Sequence, residues 1–133
     1  MSSAEKNASA KIMVIDDSQT IRRTAETLLA REGYAVITAS DGYEALGKIV
    51  DQKPDVIFID IMMPRLDGYQ VCALIKCYPI FSGTPCIMLS SKDGVFDRAR
   101  GRIVGSDQYL TKPFTKDEIL AAVKAHAAKA AST

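Results

Sequence analysis

No apolar run in this chain approaches the ~18–20 residues that a bilayer crossing requires, so no membrane-spanning helix is expected. Charge of one sign is also missing: 17 basic and 16 acidic residues leave a formal net charge of +1. That is too little to draw the whole molecule to nucleic acid or an anionic membrane, and no DNA-binding role of its own is expected. Histidine occurs once, as His126 among alanines, where a solvated helix residue is a simpler reading than a phosphorelay donor. The three cysteines, Cys72, Cys77 and Cys86, follow no zinc spacing, and their odd number argues against a disulfide framework. Cys86 sits in an apolar run, and Cys72 and Cys77, five apart on a predicted helix, do not share one face. All three read as structural. Residues 1–10 are polar and small, unlike a secretory signal. No internal repeat or interdomain linker is present, and the expectation is a soluble cytoplasmic protein.

What is there fits one compact domain of 133 residues, 47 % apolar and 25 % charged, large enough to bury a core without metal or disulfide staples. Short β-rich runs alternate with helical patterns. Ile12-Met13-Val14-Ile15 ends in acids; Ile21, Ala25, Leu28 and Leu29 then recur at helical spacing until Gly33. Tyr34 to Ala39 reads as a second strand, and Asp41-Gly42 opens a helix with Ala45, Leu46, Ile49 and Val50 on one face. Val56 to Ile59 is a third strand, ending at Asp60. A third helix runs through Gln70, Val71, Leu74 and Ile75, before Pro79 and the Ser82-Gly83 turn. Cys86 to Leu89 is a fourth strand, a more polar helix follows over Phe96 to Val104, and Gln108-Tyr109-Leu110 is a brief fifth strand. Thr115-Lys116-Asp117-Glu118 has the form of a capping box and opens a last helix carrying Ile119, Leu120 and Val123. Continuously apolar strands imply burial on both faces, hence a parallel sheet covered by helices. The expected fold is α/β, a flavodoxin-like doubly wound (βα)5 sheet of order 2-1-3-4-5. Residues 1–10 are assigned to an N-terminal tail, 11–127 to the domain and 128–133 to a C-terminal tail.

In such a sheet, ligands bind beyond the carboxyl ends of the strands. Asp16 and Asp17 follow strand 1, Asp60 follows strand 3, Ser90 follows strand 4, and Lys112 lies just beyond strand 5. Three carboxylates brought together repel, so the cluster calls for a raised pKa or a cation. A hard divalent ion such as Mg²⁺ suits oxygen ligands, and Lys112 adds a fixed positive charge. A carboxylate nucleophile, a metal and fixed donors are what an aspartyl-phosphate site requires, with Asp60 on the central strand as nucleophile. Taken singly, each piece has a plainer reading. Asp-Asp after a strand is commonly a cap or turn, Ser90-Ser91 can cap a helix, and Lys-Pro alone is weak. Four such pieces at successive strand ends are much harder to obtain by accident.

The segments Val14-Ile15-Asp16-Asp17-Ser18, Ile59-Asp60-Ile61-Met62-Met63-Pro64, Met88-Leu89-Ser90-Ser91 and Tyr109-Leu110-Thr111-Lys112-Pro113-Phe114 resemble the receiver domains of bacterial response regulators, over residues 11 to 127. The resemblance implies that Asp60 is the phosphoacceptor for a histidine kinase in a two-component phosphorelay. It implies that Mg²⁺ is bound by Asp17, Asp60 and the main-chain carbonyl of Met62, with Asp16 acting through water. Ser90 and Lys112 would contact the phosphoryl oxygens, and Tyr109 would be the aromatic that switches together with Ser90. The Lys112-Pro113 bond would be cis, and the lifetime of the phosphorylated state would depend on Met62 and Lys92. The face formed by the fourth helix, fifth strand and fifth helix would bind an effector protein, since no output domain is attached. Ser18-Gln19-Thr20-Ile21-Arg22-Arg23 and Arg65-Leu66-Asp67-Gly68-Tyr69 resemble more narrowly the stand-alone receivers of type IV pilus (twitching motility) chemosensory systems.

Other functions compete with this one. A haloacid-dehalogenase-type phosphatase would need Asp-x-Asp, whereas Ile61 and Met62 follow Asp60; the expectation is therefore not an enzyme, but a phosphoacceptor that assists its own transfer. A flavin binder would need a Gly/Ser/Thr-rich loop where Asp16 and Asp17 stand. A phosphate sink draining a shared kinase is the mildest alternative. Arg98, Arg100 and Arg102 read as a solvated face beside the output surface, and Tyr69 and Tyr78 as packing residues.

Overall fold

A computed structural model of the chain describes residues 10–91, 99–100 and 104–131. Five strands, β1 (Lys11–Ile15), β2 (Ala35–Ala39), β3 (Val56–Asp60), β4 (Cys86–Ser90) and β5 (Gln108–Thr111), form one sheet of order β2-β1-β3-β4-β5. All pairings are parallel, as the unbroken apolar strands imply. Helices α1 (Gln19–Arg31), α2 (Gly42–Gln52) and α3 (Gly68–Cys77) and a C-terminal helix (Lys116–Ala131) cover the two faces.

Alternate strand residues point to opposite faces, and the core divides accordingly. Met13, Ile15, Ile57, Ile59 and Met88 pack with Ala45 and Ile49 of α2 and with Val71 and Ile75 of α3. Ile12, Val14, Phe58, Ile87 and Leu89 pack with Ala25 and Leu29 of α1 and with Ile119 and Val123 of the C-terminal helix. Caps set the helix starts. Ser18, Asp41 and Asp67 each accept a backbone N–H three residues on. The box foreseen at Thr115 forms, with Thr115 N–H donating to Glu118 Oε1 at 2.8 Å and Glu118 N–H to Thr115 Oγ1 at 3.1 Å. The chain turns out of α1 through Gly33 at φ 90°, a conformation that suits glycine.

Several expectations need correcting. Val50 and Leu74 are exposed; each lies 100° around its helix from a buried neighbour, Ile49 or Ile75, and so falls on the flank of the stripe. Cys77 is exposed while Cys72 and Cys86 are buried. The latter two share a thiol hydrogen bond, which together with burial pushes Cys86 up. His126 is half-buried, its Nε2 2.7 Å from Gln108 Oε1, because its helix packs on β5. The last helix continues to Ala131, past residue 127, through alanines that favour helix. Ala10 belongs with the sheet, its carbonyl accepting Ala35 N–H at 3.1 Å. Of the fourth helix expected over Phe96 to Val104, only Ala99, Arg100 and Val104 are described, all helical. Lys92, Arg98 and Arg102 lie outside the described residues.

Candidate functional site

Register builds the site. The β1–β3 ladder ends on the pair Ile15–Ile59, so the next residues, Asp16 and Asp60, stand side by side at the carboxyl edge. Ser90 closes β4, paired with Thr111 of β5, and Lys112 follows. Its N–H donates to the Ser90 carbonyl at 2.6 Å, which aims the lysine back across the strand ends. The Lys112-Pro113 bond is cis.

Asp16 and Asp60 are buried, at 0 % and 2 % exposure. Lys112 Nζ lies 3.0 Å from Asp60 Oδ1 and 3.2 Å from Asp16 Oδ2. Met62 N–H donates to Asp60 Oδ1 at 3.2 Å, and Ser18 N–H to Asp16 Oδ1 at 2.9 Å. Asp17 is exposed, yet one oxygen from each of the three acids falls within 4.8 Å of the others. Burial, then the Asp16 charge, raise the Asp60 pKa from 3.8 to about 7, with Lys112 opposing them. Burial alone would lower the Lys112 pKa, but the Asp60 hydrogen bond and both carboxylate charges outweigh it, so Lys112 is raised and stays cationic.

With all three acids ionised, one lysine leaves the cluster two negative charges in excess. Oxygen donors, an exposed edge at Asp17 and that imbalance together fit a hard divalent cation. The loop after β3 is held by Gly68, whose N–H donates to the Ile61 carbonyl at 3.0 Å. A Cβ at Gly68 would run into the Asp60 carbonyl oxygen, so only glycine allows α3 to start this close to the acid.

The structure thus brings Asp16, Asp17, Asp60 and Lys112 together and places buried Ser90 on the adjoining strand end. Met62 contributes its backbone beside Asp60 while its side chain is 72 % exposed. Tyr109 lies across from Met88 on β5, half-buried. Its partner is legible only in the structure: the Tyr109 hydroxyl is 2.9 Å from that of Tyr69. Tyr69 is buried as expected, and Arg100 stacks 4.5 Å above its ring and 3.9 Å from Asp67. Arg100 is exposed, as expected of a solvated face, while stacking on that ring. Asp67, Tyr69 and Arg100 line a hollow of about 560 Å³ that also reaches Asp17 and Met62. No periodicity could reveal a contact between the first turn of α3 and a strand 40 residues later.

A family model described as the response regulator receiver domain matches residues 12–124. Among curated proteins, Protein PilG of Pseudomonas aeruginosa is 72 % identical over 116 residues, covering 87 % of this chain and 86 % of that protein. The alkaline phosphatase synthesis transcriptional regulatory protein PhoP of Bacillus subtilis is 46 % identical over 115 residues, 86 % of this chain but 47 % of that protein. Among solved structures, the Vibrio cholerae chemotaxis protein CheY4 superposes with a TM-score of 0.85 at 32 % identity, covering 88 % of this chain and 98 % of that one. The Francisella response regulator 1452 receiver domain gives 0.83 at 38 % identity, over 90 % and 98 %.

Proposed function

The chain belongs to the response regulator receiver family, and from that premise we propose that it is a two-component switch phosphorylated on Asp60 by a histidine kinase. The observation that carries the residue assignment is the Lys112 ammonium, 3.0 Å from Asp60 and 3.2 Å from Asp16. A carboxylate held against a fixed cation beside two further acids is arranged to accept a phosphoryl group.

In transfer, the Asp60 carboxylate oxygen attacks phosphorus, a P–O bond forms, and the P–N bond to the donor imidazole breaks. Lys112 balances charge gathering on the phosphoryl oxygens, and Ser90 stands on the neighbouring strand end to receive one of them. Asp16, Asp17, Asp60 and the Met62 carbonyl would hold Mg²⁺, which when bound neutralises the excess negative charge and keeps Asp60 ionised. Met62 N–H orients the nucleophile. On this reading Asp60 is a phosphoacceptor that assists its own transfer, and the protein is not an enzyme acting on an external ester.

Identity of 72 % across most of PilG, with the motifs after Ser18 and Arg65, supports a role in type IV pilus or chemotaxis-like control. Output would then pass by protein contact through the face of β5, its preceding helix and the C-terminal helix. No helix among the described residues is long and apolar enough to cross a membrane, which accords with action in the cytoplasm. Intact-mass spectrometry after acetyl phosphate treatment tests the assignment. One phosphate should be added with Mg²⁺ and none in Asp60→Asn; equal labelling without metal overturns it.

A further inference from the structure

Two of the three acids hang from one short turn, between β1 and α1, and one side chain reaches back across it. Arg22 Nη1 donates to the Asp16 carbonyl at 2.7 Å. That carbonyl stands past the β1–β3 ladder, which ends on Ile15. It also stands ahead of α1, where Arg22 N–H donates to the Ser18 carbonyl at 3.1 Å. Arg22 thus closes the first helical turn with its main chain and the loop before it with its side chain. The rest of the turn is tied as firmly: Asp16 N–H donates to the Ala39 carbonyl at 3.1 Å, Ser18 N–H to Asp16 Oδ1 at 2.9 Å and Ile21 N–H to Ser18 Oγ at 3.3 Å.

The Asp16 carbonyl and the Asp17 nitrogen belong to one planar peptide. Holding the oxygen fixes that plane, and with it the direction in which Asp17 leaves the strand end. Asp17 is exposed, whereas Asp16 and Asp60 are locked by burial, so its aim is the one that most needs an outside hold. We propose that Arg22 is a positioning residue for the divalent cation, acting through the Asp16–Asp17 peptide rather than on the ion itself. The proposal deepens the phosphoacceptor reading and rests on it, since there Asp16 and Asp17 help to hold Mg²⁺. As a bare charge, Arg22 would act with the opposite sign. A guanidinium at the edge of a cation site repels the ion, whereas one that presets a ligand spares the cost of ordering it on binding. The observed bond goes to the main-chain oxygen between the two acids, where a preset belongs; a counter-charge would instead sit on a carboxylate. Loss of a group that orients a metal ligand costs ~10–100-fold in affinity. Relief of the repulsion takes back part of that, so the lower end applies here.

Titration calorimetry with Mg²⁺ on the purified chain tests the role. Arg22→Met, which keeps the apolar stem, is compared with Arg23→Met, which removes the same charge from the exposed neighbour. Arg22→Met should weaken Mg²⁺ binding about tenfold, and Arg23→Met should stay within about twofold of the parent. In EDTA, with no metal bound, Arg22→Met should speed amide exchange of Ser18 by about fivefold or more and leave Ile57 and Phe58 unchanged. Its urea melt should stay cooperative. A merely structural arginine would lower the urea midpoint and leave the Kd of the folded protein alone. Binding that is unchanged or tighter in Arg22→Met overturns the proposal, as do equal weakening in Arg23→Met, unchanged exchange at Ser18, or a melt that loses cooperativity. If the parent itself binds no Mg²⁺, the proposal falls together with the phosphoacceptor reading. If the parent binds Mg²⁺ and takes one phosphate, those failures overturn the role of Arg22 alone.

Discussion

Replacing the proposed acceptor carboxylate, Asp60, should make the metal-free protein more stable, and the gain should depend on pH. Asp60 is 2 % exposed, and burial with the Asp16 charge lifts its pKa from 3.8 to about 7. The folded state therefore prefers the protonated acid. Its contribution is fully present below the unfolded pKa and is lost as pH rises through about 7. The shift of roughly 3 units, at 1.36 kcal/mol each, sets a ceiling of about 4 kcal/mol on the penalty at pH 8. Relaxation and water entry around a buried charge reduce this, so about half of it, ~2 kcal/mol, is the working figure. Asn in place of Asp60 keeps an oxygen for Met62 N–H and Lys112 and removes the charge.

In EDTA at pH 8, Asp60→Asn should gain ~2 kcal/mol, or about 8 °C in Tm for a domain of this size. The gap should shrink to under ~1 kcal/mol at pH 5 and to ~0.3 kcal/mol at pH 4, just above the unfolded pKa. Urea melts of both proteins across pH 4–8 measure it. A variant less stable than the parent at pH 8, or a gap that ignores pH, would refute the electrostatic account of the site.

Saturating Mg²⁺ should stabilise the parent by ~2.7 kcal/mol at a hundredfold excess over Kd, and Asp17→Ala should lose most of that shift in calorimetric titration while melting cooperatively. Gly68→Ala forces α3 away from the Asp60 carbonyl and should destabilise by ~1–3 kcal/mol, with slower acetyl phosphate labelling read by mass. Tyr69→Phe removes the partner hydroxyl of Tyr109 and should cost ~0.5–1.5 kcal/mol, with amide exchange rising along β5.

Much of the fold was legible because each strand is a short apolar run closed by a polar residue. Val56 to Ile59 can be buried on both faces only in a covered parallel sheet, and that geometry alone puts Asp16 beside Asp60. The acid cluster thus follows from strand ends and register. What could not be read depends on contacts between elements. Val50 and Leu74 fit an apolar stripe, yet face outward, since periodicity says which side of a helix is greasy and not how wide its neighbour is. His126 looked solvated among alanines until β5 supplied Gln108. Tyr69 and Tyr109 each made sense as a single residue, and only the packing of α3 against β5 joined them.

That joining matters for how a charge at Asp60 reaches the surface. A phosphoryl group carries about −1.5 to −2, more than the carboxylate it covers, and Lys112 is the cation shared between Asp60 and Asp16. The Lys112 main chain is anchored to β4, its N–H donating to the Ser90 carbonyl at 2.6 Å. Any shift is passed to the ends of β4 and β5, where Ser90 and Thr111 are paired. Tyr109, two residues before Thr111, has its hydroxyl 2.9 Å from that of Tyr69. Breaking such a bond costs ~0.5–1.5 kcal/mol, within reach of the ~1–3 kcal/mol typical of coupling between sites. On the proposed reading, the Tyr69–Tyr109 hydrogen bond is of a strength that phosphorylation of Asp60 can break.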